Sequence, residues 1–261
     1  MCFPPGARPP EIPSDLRPIS GGAGGQDVTL TSTDGATLRA FLAAGQGDAG
    51  VAIAPDVRGL HPFYEELAER FASAGVHAIA FDYFGRTAGT ARRPDDFAFQ
   101  EHVTATRARP DLIQADIAAS VAELKRRSGA SRIFVLGFCM GGRVAFNASA
   151  ELAGLAGVVG FYGVTRKRDD NDPDAPITKV DRMRAPILGL FGGGDQAIAA
   201  ADIEAFDRVL TAKGLAHHLV TYPNAPHSFF DRSFAEWADA CADAWRRVLG
   251  FMATGDPKAV T

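Results

Sequence analysis

The chain has 261 residues, 46% hydrophobic and 22% charged, which suits one folded α/β domain and excludes a fibrous or compositionally disordered chain. A formal net charge of −4 offers no footprint for nucleic acid or an anionic membrane, and the basic clusters at 92–93, 125–127 and 166–168 lie beside acidic residues. Three cysteines, at 2, 139 and 241, lack metal-ligand spacing, and the chain shows neither a signal-peptide pattern nor a bilayer-length apolar run, so the expected setting is the reducing cytoplasm.

Residues 1–26 are rich in proline and glycine and read as an arm without regular structure along the surface, leaving 27–261 as a single domain. Alternating segments at 28–32 and 37–43, joined by Asp34-Gly35, predict a hairpin. Val51-Ala52-Ile53-Ala54-Pro55 reads as a buried strand; Phe63, Leu67, Phe71 and Ala74 then share a helix face that Gly75 closes. After a strand at 76–83 comes a long stretch, 84–110, expected to be irregular and to act as a lid or binding loop. Asp111 is the expected N-cap of a helix burying Ile113, Ile117, Val121 and Leu124. Strands follow at 132–136, 155–162, 185–191 and 218–222, with a surface loop at 165–181 and a helix carrying Ile203, Phe206 and Leu210. A final helix is expected to bury Phe234, Trp237, Cys241, Trp245 and Val248. Such alternation implies a mostly parallel sheet with helices on both faces and no large cap domain, binding ligands beyond the carboxyl ends of its strands.

One stretch carries chemistry. In Gly137-Phe138-Cys139-Met140-Gly141-Gly142 a strand passes directly into a helix-compatible segment, and small residues stand two positions either side of Cys139. That is the spacing of a nucleophile elbow, in which the reacting side chain sits on a strained turn at a helix N-terminus. A cysteine nucleophile needs a base, and the base needs an orienting carboxylate. Asp195, after Gly192-Gly193-Gly194, and His227, in Pro226-His227-Ser228-Phe229, lie downstream in the chain order of α/β-hydrolases. The expected oxyanion donors are the amides of Met140 and of Val57, in the loop after the 51–55 strand. Asp56 beside them would hinder thiol ionisation unless displaced or neutralised; the alternative is a structural ion pair with Arg58 or Arg86.

With these residues in view, the chain resembles the dienelactone hydrolase family from about residue 28 onward. The resemblance runs through Pro55-Asp56-Val57-Arg58-Gly59, Asp82-Tyr83-Phe84-Gly85-Arg86, the elbow, Gly160-Phe161-Tyr162-Gly163, Gly193-Gly194-Asp195 and Pro226-His227-Ser228-Phe229. It implies an α/β-hydrolase fold, a Cys139-His227-Asp195 triad, a small lactone or ester substrate and no metal or organic cofactor. It also implies that Arg86 holds a substrate carboxylate; Asp56, Arg58, Tyr162 and Arg232 complete the candidate substrate-binding set. Two positions depart from the family pattern: Asp56 stands for a glutamate, and Asp231 stands where a second arginine is expected, with Arg232 adjacent. A thioesterase, general carboxylesterase or peptidase on the same scaffold, or a ligand-binding protein without turnover, are the alternative readings.

Overall fold

Residues 26–31 alternate because only one face of this edge strand meets the core: in β1 (Gln26–Thr31), Val28 and Leu30 are buried while their neighbours are not. β1 pairs antiparallel with β2 (Thr37–Ala43), setting Val28 against Ala40 and Leu30 against Leu38. The computed structural model describes residues 3–4, 6–16, 24–94, 96–233 and 235–261; Cys2, Phe234 and the start of the glycine run at 21–23 lie outside them.

The remaining strands are β3 (Ala49–Ala54), β4 (His77–Phe81), β5 (Arg132–Phe138), β6 (Gly157–Phe161), β7 (Ile187–Gly192) and β8 (His217–Tyr222). Together they form an eight-stranded sheet in the order β1-β2-β4-β3-β5-β6-β7-β8, parallel from β4 to β8. β3, β4, β6 and β7 are buried at every position, since helices cover both faces and leave no polar side for alternation. The helices are α1 (Pro62–Ser73), α2 (Gly85–Ala88), α3 (Gln100–Arg107), α4 (Pro110–Ser128), α5 (Met140–Glu151), α6 (Ala200–Lys213) and α7 (Ala238–Thr254).

The strand order decides where chemistry can occur. From β3 the chain steps to β4 on one side, then returns to place β5 on the other, so β3 and β5 are neighbours at a topological switch point. Their register pairs Ala54 with Gly137, and the residues two positions beyond each, Asp56 and Cys139, emerge side by side.

Several expectations change. The 84–110 stretch is not wholly irregular: α2 and α3 lie within it, and α4 begins at its end. α3 buries none of its side chains, so it has no apolar period to read. α4 starts at Pro110 with Arg109 as its N-cap, two residues before the expected Asp111, because proline is pre-set for the first helical residue. Trp237 ends a 3₁₀ turn (Ala235–Trp237) instead of joining α7, whereas Cys241, Trp245 and Val248 are buried on that helix. The described part of the proline-rich arm is not confined to the surface: Phe3, Ala7 and Ile12 are buried. Trp245 fastens it to α7, donating from Nε1 to Pro10 O at 3.2 Å while its ring meets Phe71 at 5.0 Å. Burying such a ring contributes about 3 kcal/mol.

Candidate active site

Cys139 joins β5 to α5 with φ 54° and ψ −109°, a left-handed conformation that costs a non-glycine residue about 1–3 kcal/mol and persists only where its surroundings dictate it. They do so here by close packing. A Cβ on Gly141 would lie 2.0 Å from Ala54 O and 2.4 Å from Pro55 O, so only glycine lets α5 meet the loop leaving β3. The Cys139 amide donates to Phe161 O at 3.0 Å, pinning the turn to β6 as well. Met140 opens α5, so its amide has no partner inside the helix and is available to an oxyanion.

Asp195 and His227 arrive on the loops after β7 and β8. A Cβ on Gly192 would fall 2.3 Å from Ala225 O, which explains why glycine allows these two loops to touch. His227 Nδ1 donates to Asp195 Oδ2 at 2.6 Å, and the Ala197 amide donates to Asp195 Oδ1 at 2.8 Å, orienting a carboxylate that is 1% exposed. Burial works to lower the His227 pKa, but hydrogen bonds to Asp195 and Cys139 and the charges on both outweigh it, raising the imidazole from 6.5 to about 9. An imidazole raised this far stays protonated at neutral pH, and it is hydrogen-bonded to Cys139 as well as to Asp195.

The surroundings of Asp56 differ from the expected ion pair with Arg58 or Arg86. Its carboxylate is fully buried and pairs with neither guanidinium. Oδ1 accepts the Arg58 amide at 2.8 Å and lies 3.7 Å from His61 Nε2, while Oδ2 has no hydrogen-bond partner among the described residues. Tyr83 donates from Oη to Pro55 O at 2.7 Å, and its hydroxyl is pushed far up by burial and by the negative charges of Asp56 and Cys139. His61, the N-cap residue of α1, is the histidine that approaches Asp56. The available signal was its place five residues after Asp56 and directly before Pro62, the first residue of α1.

Arg86 does not stand ready for a substrate carboxylate. It makes four hydrogen bonds of 2.7–2.9 Å, two to Asp34 and two to Asp116, which occupy its guanidinium and cancel its charge. It instead helps wall a cavity of about 210 Å³ with Tyr83, Leu112 and Ile113. Arg232 is half-exposed and lies 3.9 Å from Glu11 and 4.0 Å from Glu66, while Asp231 is buried and caps the Ser233 amide at 2.9 Å. Both guanidinium groups thus lie beside carboxylates of the protein itself. Tyr162, buried at φ 38°, sets its ring 4.8 Å from that of His227. Arg58 is buried beside Val57 and donates from Nη1 to Phe3 O at 3.1 Å.

A mostly parallel eight-stranded sheet whose central strand turns through a left-handed residue into a helix is the architecture of an α/β-hydrolase. More narrowly, the sequence profile described as "Dienelactone hydrolase family" matches residues 38–255, and the chain belongs to that family. It is a hydrolase of this family. Among its relatives, the "Putative carboxymethylenebutenolidase" of Escherichia coli (strain K12) is 29% identical over 206 residues, covering 76% of this chain and 74% of that protein. The protein of the same name from Salmonella typhimurium is 27% identical over 242 residues, covering 89% and 88%. A crystal structure of a "Putative Dienelactone Hydrolase" from Klebsiella pneumoniae superposes with a TM-score of 0.76 at 25% identity, covering 88% of this chain and 98% of that one. No helix among the described residues is long and apolar enough to cross a membrane.

Proposed function

We propose that the protein hydrolyses a lactone or small carboxylic ester through a thioester on Cys139. The observation that carries this reading is the 2.6 Å contact of His227 Nδ1 with Asp195 Oδ2, beside a thiol held at positive φ between strand and helix. The Cys139 thiolate attacks the carbonyl carbon, and the amides of Met140 and Val57 receive the oxyanion. As the tetrahedral adduct collapses, His227 gives its Nε2 proton to the departing alkoxide, and Asp195 keeps the ring in the correct orientation. His227 then takes a proton from water, which attacks the thioester, releases the acid and restores the thiol. In a lactone the alkoxide stays attached, so the product is one hydroxy acid. The lactone class agrees with the name carboxymethylenebutenolidase carried by the relatives. None of these steps requires a metal or organic cofactor, and a catalytic thiol suits the reducing cytoplasm.

The test is a panel of lactones, aryl esters and acyl thioesters assayed with wild type and Cys139→Ala. The variant should lose about a thousandfold or more in turnover, and a slowly released acyl group should be found by mass spectrometry on the peptide containing Cys139. Full activity of Cys139→Ala on every substrate cleaved by wild type would overturn the thioester mechanism. Faster cleavage of thioesters than of any lactone or oxygen ester would instead favour a thioesterase.

A further inference from the structure

The proline-rich segment enters the catalytic region at one point. Phe3 is fully buried, stacked on Phe63 at 4.0 Å between ring centroids, and stands edge-on to Phe138 at 6.1 Å and to Tyr162 at 6.4 Å. Phe138 immediately precedes the nucleophile, and the Tyr162 ring packs against His227. On its polar side, Phe3 O accepts the hydrogen bond from Arg58 Nη1. Arg58 is 8% exposed and makes no ion pair with a carboxylate among the described residues, so this carbonyl is the fixed acceptor for a buried guanidinium. Its own amide is held by Asp56 Oδ1, and the residue between Asp56 and Arg58 is Val57. The oxyanion loop is thus pinned from within by Asp56 and from outside by Phe3.

The segment is tied to the body at several further places. The Arg232 amide donates to Arg8 O at 3.3 Å, Arg8 pairs with Glu66, Arg70 pairs with Glu11 at 2.6 Å and Arg246 with Asp15 at 2.6 Å. It therefore straps α7 and α1 to the catalytic loop. If Phe3 left its seat, the Arg58 guanidinium would lose that acceptor while remaining in a buried setting, and the loop would have to move to rehydrate it.

From this we infer that Phe3 and Arg58 are positioning residues: the proline-rich segment sets the Val57 amide in place for the oxyanion. The inference rests on the Cys139 reading and adds to it a part of the chain outside the profile match at 38–255. Hydrolysis uses the oxyanion hole, whereas alkylation of Cys139 by iodoacetamide does not, since displacement of iodide from carbon forms a C–S bond without creating an oxyanion. The two reactions therefore separate loop position from thiol reactivity.

In the full chain, Arg58→Met removes the latch at nearly constant side-chain length, Phe3→Ala removes the ring that seats the carbonyl, and Phe3→Leu keeps an apolar anchor. Arg58→Met and Phe3→Ala should lower kcat for an aryl ester by about a hundredfold, as for loss of one oxyanion donor. KM and the Cys139 alkylation rate should stay within about threefold, and Phe3→Leu should recover most of kcat. Equal losses in hydrolysis and alkylation, or an unchanged kcat in Phe3→Ala, would overturn the inference. Should Arg58→Met fail to fold, the two Phe3 variants decide it. An active Cys139→Ala protein would defeat the thioester reading itself, whereas an inactive one with these unwanted outcomes would defeat only the role of the segment.

Discussion

Replacing Asp195 by asparagine preserves its shape and removes its charge from the buried 2.6 Å contact with His227. The elevation of His227 from 6.5 to about 9 corresponds to about 3 kcal/mol in favour of the imidazolium, and the Asp195 hydrogen bond is the leading contribution raising it against burial. Because the folded pKa is raised, this stabilisation is complete below pH 6.5 and disappears as pH climbs through about 9. Asp195→Asn should therefore be less stable than wild type at pH 6, by up to about 3 kcal/mol, and the gap should close by about pH 10. Catalysis should suffer more, since the imidazole loses its orienting anion: a fall of about 10³–10⁴ in kcat is expected. Urea unfolding at several pH values, steady-state turnover and the pH dependence of Cys139 alkylation measure the three effects. Peptide mapping keeps Cys139 distinct from Cys2 and from Cys241, whose thiol burial pushes up to about 12 and leaves inert. Superimposable alkylation profiles and unchanged turnover in Asp195→Asn would refute the coupling of acid, base and thiol.

Gly141→Ala would press a methyl group against the backbone oxygens of Ala54 and Pro55, so a loss of about 2 kcal/mol or more in stability is expected, together with a large fall in turnover as the Val57 loop shifts. A thermal melt and an ester assay check it, and native behaviour in both would show that the contact can relax. Arg86→Met should destabilise by about 3 kcal/mol by leaving Asp116, 2% exposed, without its partner. It should lower kcat/KM for carboxylate-bearing and neutral esters alike, and a loss confined to the carboxylate-bearing ester would return Arg86 to substrate recognition.

The strand-to-helix turn at Cys139 was legible in the sequence because its determinants are local. Strand-forming residues 132–136, glycines two positions from Cys139 and a following helical segment each constrain the same few backbone angles. Asp195 and His227 were legible for a related reason, since both follow apolar strands whose ends must gather on one side of a parallel sheet. α3 was not, because a helix with no buried side chain carries no hydrophobic period.

What the residue order by itself determined is therefore the alternating architecture, the elbow and the order of acid and histidine behind it. Tertiary structure decided the partners of the charged groups. Arg86 meets Asp34 and Asp116, separated from it by 52 and 30 residues, partners that no local pattern announces. Asp56 has Arg58 two residues away in the sequence, yet folding turns its carboxylate to the Arg58 amide and to His61. The proline-rich segment looked like a surface arm because proline and glycine announce only the absence of regular structure. That Phe3 packs among Phe63, Phe138 and Tyr162 depends on a helix and strand ends brought together from separate parts of the chain, a proximity that no local pattern encodes.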